Sequence, residues 1–342
     1  MSKIPVLIKK KPVVTTITGP HLEYTKLLPK IKSRTIKVGT DCSGIEAPIQ
    51  ALELLQVPYD HLFSSEINPR VRKIAERNYA PKKYYTDITK RNHEELPKLD
   101  LYIAGFPCQP FSTLGKHQGF DDQKGRGTIF FECYNTIIAT DPEMFILENV
   151  KGLVSHNNGN TFKTIMLYLS QLNYDIYRSI LNTKDFGLPQ NRERIYIVGL
   201  KKGKFQPFSF PQPIPLNVHV TDILEEAPTS SLTDHKKTIL HDLVKYGTID
   251  KLSDPWVVNL NSSSYKRSSP MLNISPCLLA SGSIYYVTSE KRNLTPTEFL
   301  KLQGFHRFDL CGEYSKIYGI AGNSMSVPVI AFIISNMLMS MF

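Results

Sequence analysis

Cys108 stands in the run Gly105-Phe-Pro-Cys-Gln-Pro-Phe-Ser112, directly after the apolar stretch Asp100-Leu-Tyr-Ile-Ala104. A thiol at the tip of a short strand, stiffened by prolines on both sides, is placed to react once its thiolate is favoured. A lone cysteine in a proline turn is more often a buried structural residue. Four other segments outweigh that reading because they supply the remaining parts of a reaction. Phe145-Ile-Leu-Glu-Asn-Val150 is a second apolar strand and carries an acid, Glu148. Gln190-Asn-Arg-Glu-Arg194 brings two guanidiniums into the strand Ile195-Tyr-Ile-Val-Gly199. Thr40-Asp-Cys-Ser-Gly-Ile-Glu46 is a strand-to-helix turn, and Ala321-Gly-Asn-Ser324 lies near the C-terminus.

In these motifs, in this order, the chain resembles the DNA (cytosine-5) methyltransferases. The resemblance covers residues 36 to 200 and 288 to 342. Pro-Cys-Gln alone is a weak signal. Pro-Cys-Gln, Glu-Asn-Val and Gln-x-Arg-x-Arg at family spacing are a specific one.

The resemblance implies a chemistry that the residues can be tested against. Cytosine is a poor electrophile at C6 and a poor nucleophile at C5, and covalent addition divides that problem in two. Cys108 is the expected nucleophile. Glu148, sharing a proton with N3 and accepting from the 4-amino group, would quench charge on the ring; its bland alternative is an edge-strand salt bridge. Arg194 would hold the cytosine O2, with Arg192 supporting the same site. Within a duplex the target base cannot reach Cys108, so it would have to be flipped out.

The implied cofactor is S-adenosylmethionine. Its expected contacts are Cys42, Ser43, Gly44 and Ile45 in the first turn, Glu66 and Ile67, Asp87 and Ile88, Gly105 and Pro107, and Asn323 and Ser324. The turn lacks GxGxxG, which argues against NAD or FAD. Glu66 lies 22 residues beyond Gly44 and is placed for ribose hydroxyls, and Asp87 for the adenine amino group. Each acid taken alone is more often a helix cap. The chain departs from the family's Phe-x-Gly-x-Gly, with Cys42 at the aromatic position and Glu46 at the second glycine.

The elements that must position these groups follow from hydrophobic spacing. Strand-like runs fall at 36–38, 61–64, 101–104, 144–147 and 195–198, and helical spacing at 49–55, 71–75 and 162–172. The alternation predicts an α/β protein, a Rossmann-like, mostly parallel sheet covered by helices, with a second, smaller target-recognition domain. Ligands on such sheets bind beyond the carboxyl ends of the strands. Residues 112–126 follow the nucleophile and hold Gly115, Gly119 and Gly125 among basic residues. They read as a lid, and Gln109, Ser112, Lys116 and Arg126 are the expected DNA contacts.

The expected organisation is a basic arm over 1–35, a catalytic domain over 36–200 completed by 321–342, a target-recognition domain over 201–290 and a connecting segment over 291–320. Pro207, Pro211, Pro213 and Pro215 mark the change of character, and Leu294-Thr-Pro-Thr-Glu298 reads as a helix start. The chain has 342 residues, 41% hydrophobic, with a net charge of +10. Nine Lys or Arg and one Glu fall within residues 1–37. Such a balance suits a polyanion, here duplex DNA. No run of 18 apolar residues and no signal-peptide pattern occurs, so no membrane span is expected. Five cysteines show no CxxC pair and no metal-ligand spacing, which suggests reduced thiols in an intracellular protein. The expected state is a monomer, in the cytoplasm of a prokaryote or virus-infected cell, or in a eukaryotic nucleus. Two rivals stay open. One is a transfer-RNA cytosine-5 methyltransferase on the same fold, a branch that typically carries Cys-Phe-Thr, absent here. The other is a non-catalytic DNA-binding relative.

Overall fold

Strict alternation of apolar side chains builds the central sheet. In Met144–Val150, Met144 and Ile146 enter one buried cluster while Phe145 and Leu147 enter another. Leu101 and Ile103 alternate in the same way with Tyr102 and Ala104. A strand apolar on both faces must be covered on both. The computed structural model describes residues 15–16, 19–29, 31, 33–107, 129–310 and 314–341. Cys108, Gln109, Ser112, Lys116 and Arg126, with the expected lid, lie outside the described residues.

Seven strands form the main sheet: β1 (Ile36–Asp41), β2 (Tyr59–Ser65), β3 (Lys83–Tyr85), β4 (Leu101–Ala104), β5 (Met144–Val150), β6 (Tyr174–Asn182) and β7 (Glu193–Lys201). Their order is β3-β2-β1-β4-β5-β7-β6. The pairs from β3 to β5 are parallel, and β7 runs antiparallel to both of its neighbours. The chain moves outward from β1 to β3, then restarts on the other side of β1 with β4. That reversal opens a crevice at the carboxyl ends of β1 and β4.

Helices α1 (Ala47–Leu54), α2 (Pro69–Asn78), α3 (Ile129–Thr140) and α4 (Asn160–Ser170) connect the strands. Phe130 and Ile137 of α3 and Phe162 and Ile165 of α4 cover one face. On the other, Ile49 and Leu52 of α1 share a cluster with Val329, Ile330 and Ile333 of the closing helix.

A smaller unit lies between β7 and the C-terminal helices. Helix α5 (Asp234–Lys245) supplies Ile239, Leu240 and Leu243 to a separate core with Val258, Leu260 and Tyr286. A four-stranded antiparallel sheet of short strands, centred on Trp256–Val258 and Tyr286–Val287, carries that core and ends on Arg292–Asn293. Helix α6 (Pro296–Gln303) opens with a capping box between Thr295 and Glu298, as the Thr-Pro-Thr-Glu run predicts. Helices α7 (Tyr314–Asn323) and α8 (Val327–Met339) return the chain to the main sheet. The stretch Lys316–Met339 is long and apolar enough to span a bilayer, but 83% of its apolar window is buried within the protein.

Part of the segment read as an arm is packed. A 3-10 helix over Pro20–Leu27 buries His21 and Tyr24, and His21 Nε2 lies 3.1 Å from the Phe305 carbonyl oxygen.

Candidate active site

The strand β1 ends at Asp41, whose carboxylate meets the Arg91 guanidinium in a fully buried ion pair. Tyr102 and Ser65 hydroxyls also donate to it, at 2.8 and 2.7 Å. Arg91 follows the Asp87–Lys90 loop, so this pair ties the end of β1 to the loop after β3. The chain then turns with left-handed backbone at Cys42 (φ 49°), Gly44 (φ 56°) and Glu46 (φ 62°). The Gly44 amide donates to Glu66 Oε2 at 3.1 Å, and the Asn68 amide to Oε1 at 2.8 Å. A carboxylate has about four acceptor positions, so Glu66 keeps capacity for further donors. Burial raises its pKa, opposed by these amides. Beside it Ile67 is 72% exposed, an apolar side chain left open at the sheet edge.

Asp87 caps the next short helix: its Oδ1 accepts from the Thr89 amide and hydroxyl at 3.0 and 2.7 Å. Those bonds hold its carboxyl below the usual range. The cap reading therefore describes its local geometry, and Ile88 beside it is buried. Ile45 is buried under the turn, Ser43 is nearly so, and Asn323 is exposed between buried Gly322 and Ser324.

Gly105 joins the two halves of the edge. A Cβ there would lie 3.7 Å from Glu148 Oε2, 3.9 Å from the Cys42 carbonyl oxygen and 2.7 Å from Met325 Cε. A side chain there would press on the Met325 methyl, while the first turn and Glu148 stay at ordinary contact distance. Pro107 is the last described residue before Cys108, and Asn149 Nδ2 donates to the Phe106 carbonyl at 3.1 Å.

Glu148 projects from β5 and is 8% exposed. Its Oε1 lies 3.2 Å from Arg194 Nε. Burial raises the Glu148 pKa, and Arg194 and Arg192 offset only part of the rise. A carboxyl disposed to keep its proton suits a group that must share one with a ring nitrogen.

The two arginines do different things. Arg192 is 2% exposed and spends its guanidinium on carbonyls: Nη1 donates to Leu278 at 3.2 Å and Gly322 at 3.1 Å, Nη2 to Ser324 at 2.6 Å. It braces the wall of the site, whereas Arg194 reaches Glu148. Both guanidiniums lie near the Cys277 sulfur, at 3.6 and 3.7 Å. Burial pushes that thiol up, but Arg194 and Arg192 outweigh it and the net shift is downward. Spacing gave no signal for Cys277, because it arrives from within the small unit, between the strands Met271–Leu272 and Tyr286–Val287. Gln190 and Gln303 were also missed as site residues. Gln190 donates to the Leu302 carbonyl at 2.7 Å and Gln303 binds the Ala321 carbonyl.

This strand order, with a glycine turn and acids at the carboxyl edge, defines a Rossmann-like methyltransferase. The sequence profile of the C-5 cytosine-specific DNA methylases matches residues 40–339. The chain belongs to that family and is a DNA cytosine-5 methyltransferase. It is 40% identical over 277 residues to the type II methyltransferase M.NgoBI of Neisseria gonorrhoeae, covering 79% of this chain and 83% of that protein. With the type II methyltransferase M.HaeII of Haemophilus aegyptius it shares 38% identity over 316 residues, 90% and 93% of the two chains. The fold is similar to those of the Entamoeba histolytica methyltransferase EhMeth and S. pombe Dnmt2. The TM-scores are 0.63 and 0.60, at 20% and 19% identity, covering 89% and 90% of this chain and 98% and 99% of theirs.

Proposed function

We propose that the chain methylates C5 of a cytosine flipped out of duplex DNA at a specific sequence, as a monomer, through a covalent bond from Cys108 to C6. The observation that carries this reading is the buried Glu148–Arg194 pair beside Gly105, two residues before the end of the described strand-to-nucleophile connection. Cys108 Sγ adds to C6 as Glu148 supplies a proton at N3, which leaves C5 electron-rich. Arg194 offsets charge on the pyrimidine and holds Glu148 in place. After methyl transfer the C5 proton leaves to solvent, the C6–S bond breaks to release the thiolate, and N3 returns its proton to Glu148.

S-adenosylmethionine would supply an electrophilic methyl group. The residues present fit it. Gly44 opens onto space with no atom within 4 Å of a Cβ position, Glu66 retains acceptor capacity, and Ile67 offers an exposed apolar surface. Gly44, Glu66, Ile67, Asp87 and Asn323 would hold it. Residues 201–290 would read the sequence, and Gln109, Ser112, Lys116 and Arg126 would grip the opened strand.

A duplex bearing 5-fluorocytosine tests the reading, because fluorine does not leave as the proton does. With S-adenosylmethionine present, a covalent complex should form and map to Cys108. Attachment at Cys277, which lies near Arg194, would overturn the assignment of the nucleophile. Methyl label entering transfer RNA and not DNA would overturn the substrate.

A further inference from the structure

Glu46 occupies the second glycine position of the cofactor turn, and its backbone is left-handed at φ 62°. That region suits glycine and is uncommon for other residues. The side chain is completely buried. Something must hold a strained, buried acid at this point, and the hydrogen bonds show what does.

The Thr40 hydroxyl, on β1, donates to Glu46 Oε2 at 3.0 Å. The Ser64 hydroxyl, on β2, donates to Oε1 at 2.5 Å. Ser43 and Ser64 hydroxyls lie 2.8 Å apart, which brings a turn residue into the same cluster. His61 Nε2 lies 3.2 Å from Thr40 Oγ1. With Thr40 donating to Glu46, that nitrogen carries the proton and donates to Thr40. The backbone agrees: Glu46 N–H donates to the Ser43 carbonyl at 3.0 Å, and the Glu46 carbonyl accepts the first two helical bonds of α1. One carboxyl therefore pins the turn to two strands and to the start of a helix.

We infer that Glu46 is a positioning residue for the cofactor: its carboxyl does the work that a second glycine does elsewhere, fixing Cys42–Ile45 in the shape that receives the methyl donor. The inference rests on the cofactor assignment above. It also gives the turn a pH response. Burial raises the Glu46 carboxyl to about 7, against hydrogen bonds that lower it, and Glu66 adds to the rise. The other titratable groups facing it are His61 and Tyr59 of β2, Tyr84 of β3 and Tyr79 after α2. Burial keeps His61 neutral, down at about 4, and raises all three tyrosines. As the carboxylate Glu46 accepts from both hydroxyls. Once protonated, one oxygen donates, so the Ser64 or the Thr40 hydroxyl must turn away from the carboxyl and the bonds that remain lose the support of its charge. Cofactor affinity should therefore fall as pH drops through about 7.

The test is calorimetric binding of S-adenosylmethionine to the full chain between about pH 6 and 8.5, with duplex binding measured in parallel. Glu46→Gly gives the backbone its freedom and removes the carboxyl. Cofactor affinity should fall roughly tenfold or more with DNA affinity unchanged. Glu46→Gln keeps an acceptor and the side-chain size, so it should retain part of the affinity and lose the pH dependence. Wild-type affinity in Glu46→Gly would overturn the inference, since glycine alone would then suffice. If Glu46→Gly fails to unfold cooperatively, Glu46→Gln decides: a wild-type pH profile in that variant overturns it. A wild-type chain with no cofactor affinity at any pH removes the cofactor assignment itself, a distinct result.

Discussion

On the proposed mechanism Glu148 and Arg194 act as a pair. Glu148→Gln should lower the rate of methyl transfer by about 10²–10⁴-fold, the usual worth of a positioned acid. Single-turnover methylation of duplex DNA measures it. The sign of the pH dependence follows from the raised pKa. The folded protein holds the Glu148 proton to higher pH than a free carboxyl does. The wild-type rate should then fall as pH rises through that pKa, and the Gln variant should lack this limb. A variant as fast as wild type would remove Glu148 from the mechanism. The arginines should separate in kind. Arg192→Ala strands buried carbonyls of Leu278, Gly322 and Ser324 and should cost at least about 2 kcal/mol of stability in urea unfolding. Arg194→Ala should cost less stability than Arg192→Ala, because the buried Glu148 can take up a proton when its partner is lost, and should depress the rate. The reverse pattern would exchange their roles.

At the scale of elements, the site depends on close approach between α7 and the connection between the strands Met271–Leu272 and Tyr286–Val287 of the small sheet. A Cβ on Gly322 would lie 2.2 Å from the Leu279 carbonyl oxygen. Backbone cannot yield as a flexible side chain can. Gly322→Ala should therefore cost about 1–3 kcal/mol in chemical denaturation. It should also weaken cofactor binding, since Asn323 is displaced with the helix end. An alanine variant with unchanged stability would show that the two segments separate freely. At Gly105 the close atom is instead the Met325 methyl, the movable end of a side chain, so alanine there should cost less.

For the whole molecule, the small unit with its own core is where base readout is proposed. Phosphate contacts from both parts should make DNA affinity fall steeply with salt. Replacing residues 201–290 by the equivalent segment of a relative should redirect methylation to that relative's site while the nucleophile stays Cys108. Bisulfite sequencing of DNA from cells expressing the hybrid reads both. An unchanged recognition site would place base readout outside that segment.

Much of the fold was legible because the strands buried on both faces read as unbroken apolar runs. The runs at 101–104 and 144–147 fall within β4 and β5. Strand β6 was not anticipated, because Tyr174–Asn182 interleaves charges with apolar residues at the sheet edge. The sequence by itself determined the alternating order of strands and helices and the motifs Glu-Asn-Val and Gln-x-Arg-x-Arg, since local periodicity and chemistry suffice for both. Only the tertiary structure decided that Arg192 braces carbonyls while Arg194 pairs with Glu148. Arg192 lies just before β7 and Arg194 upon it, and what each meets is distant in the chain: Leu278, Gly322 and Ser324 for Arg192, Glu148 for Arg194. It alone brought Cys277 to them, and it alone buried Glu46 among Thr40, Ser64 and His61. Those neighbours meet across strands whose pairing is set by the packing of the whole sheet, which no local spacing encodes.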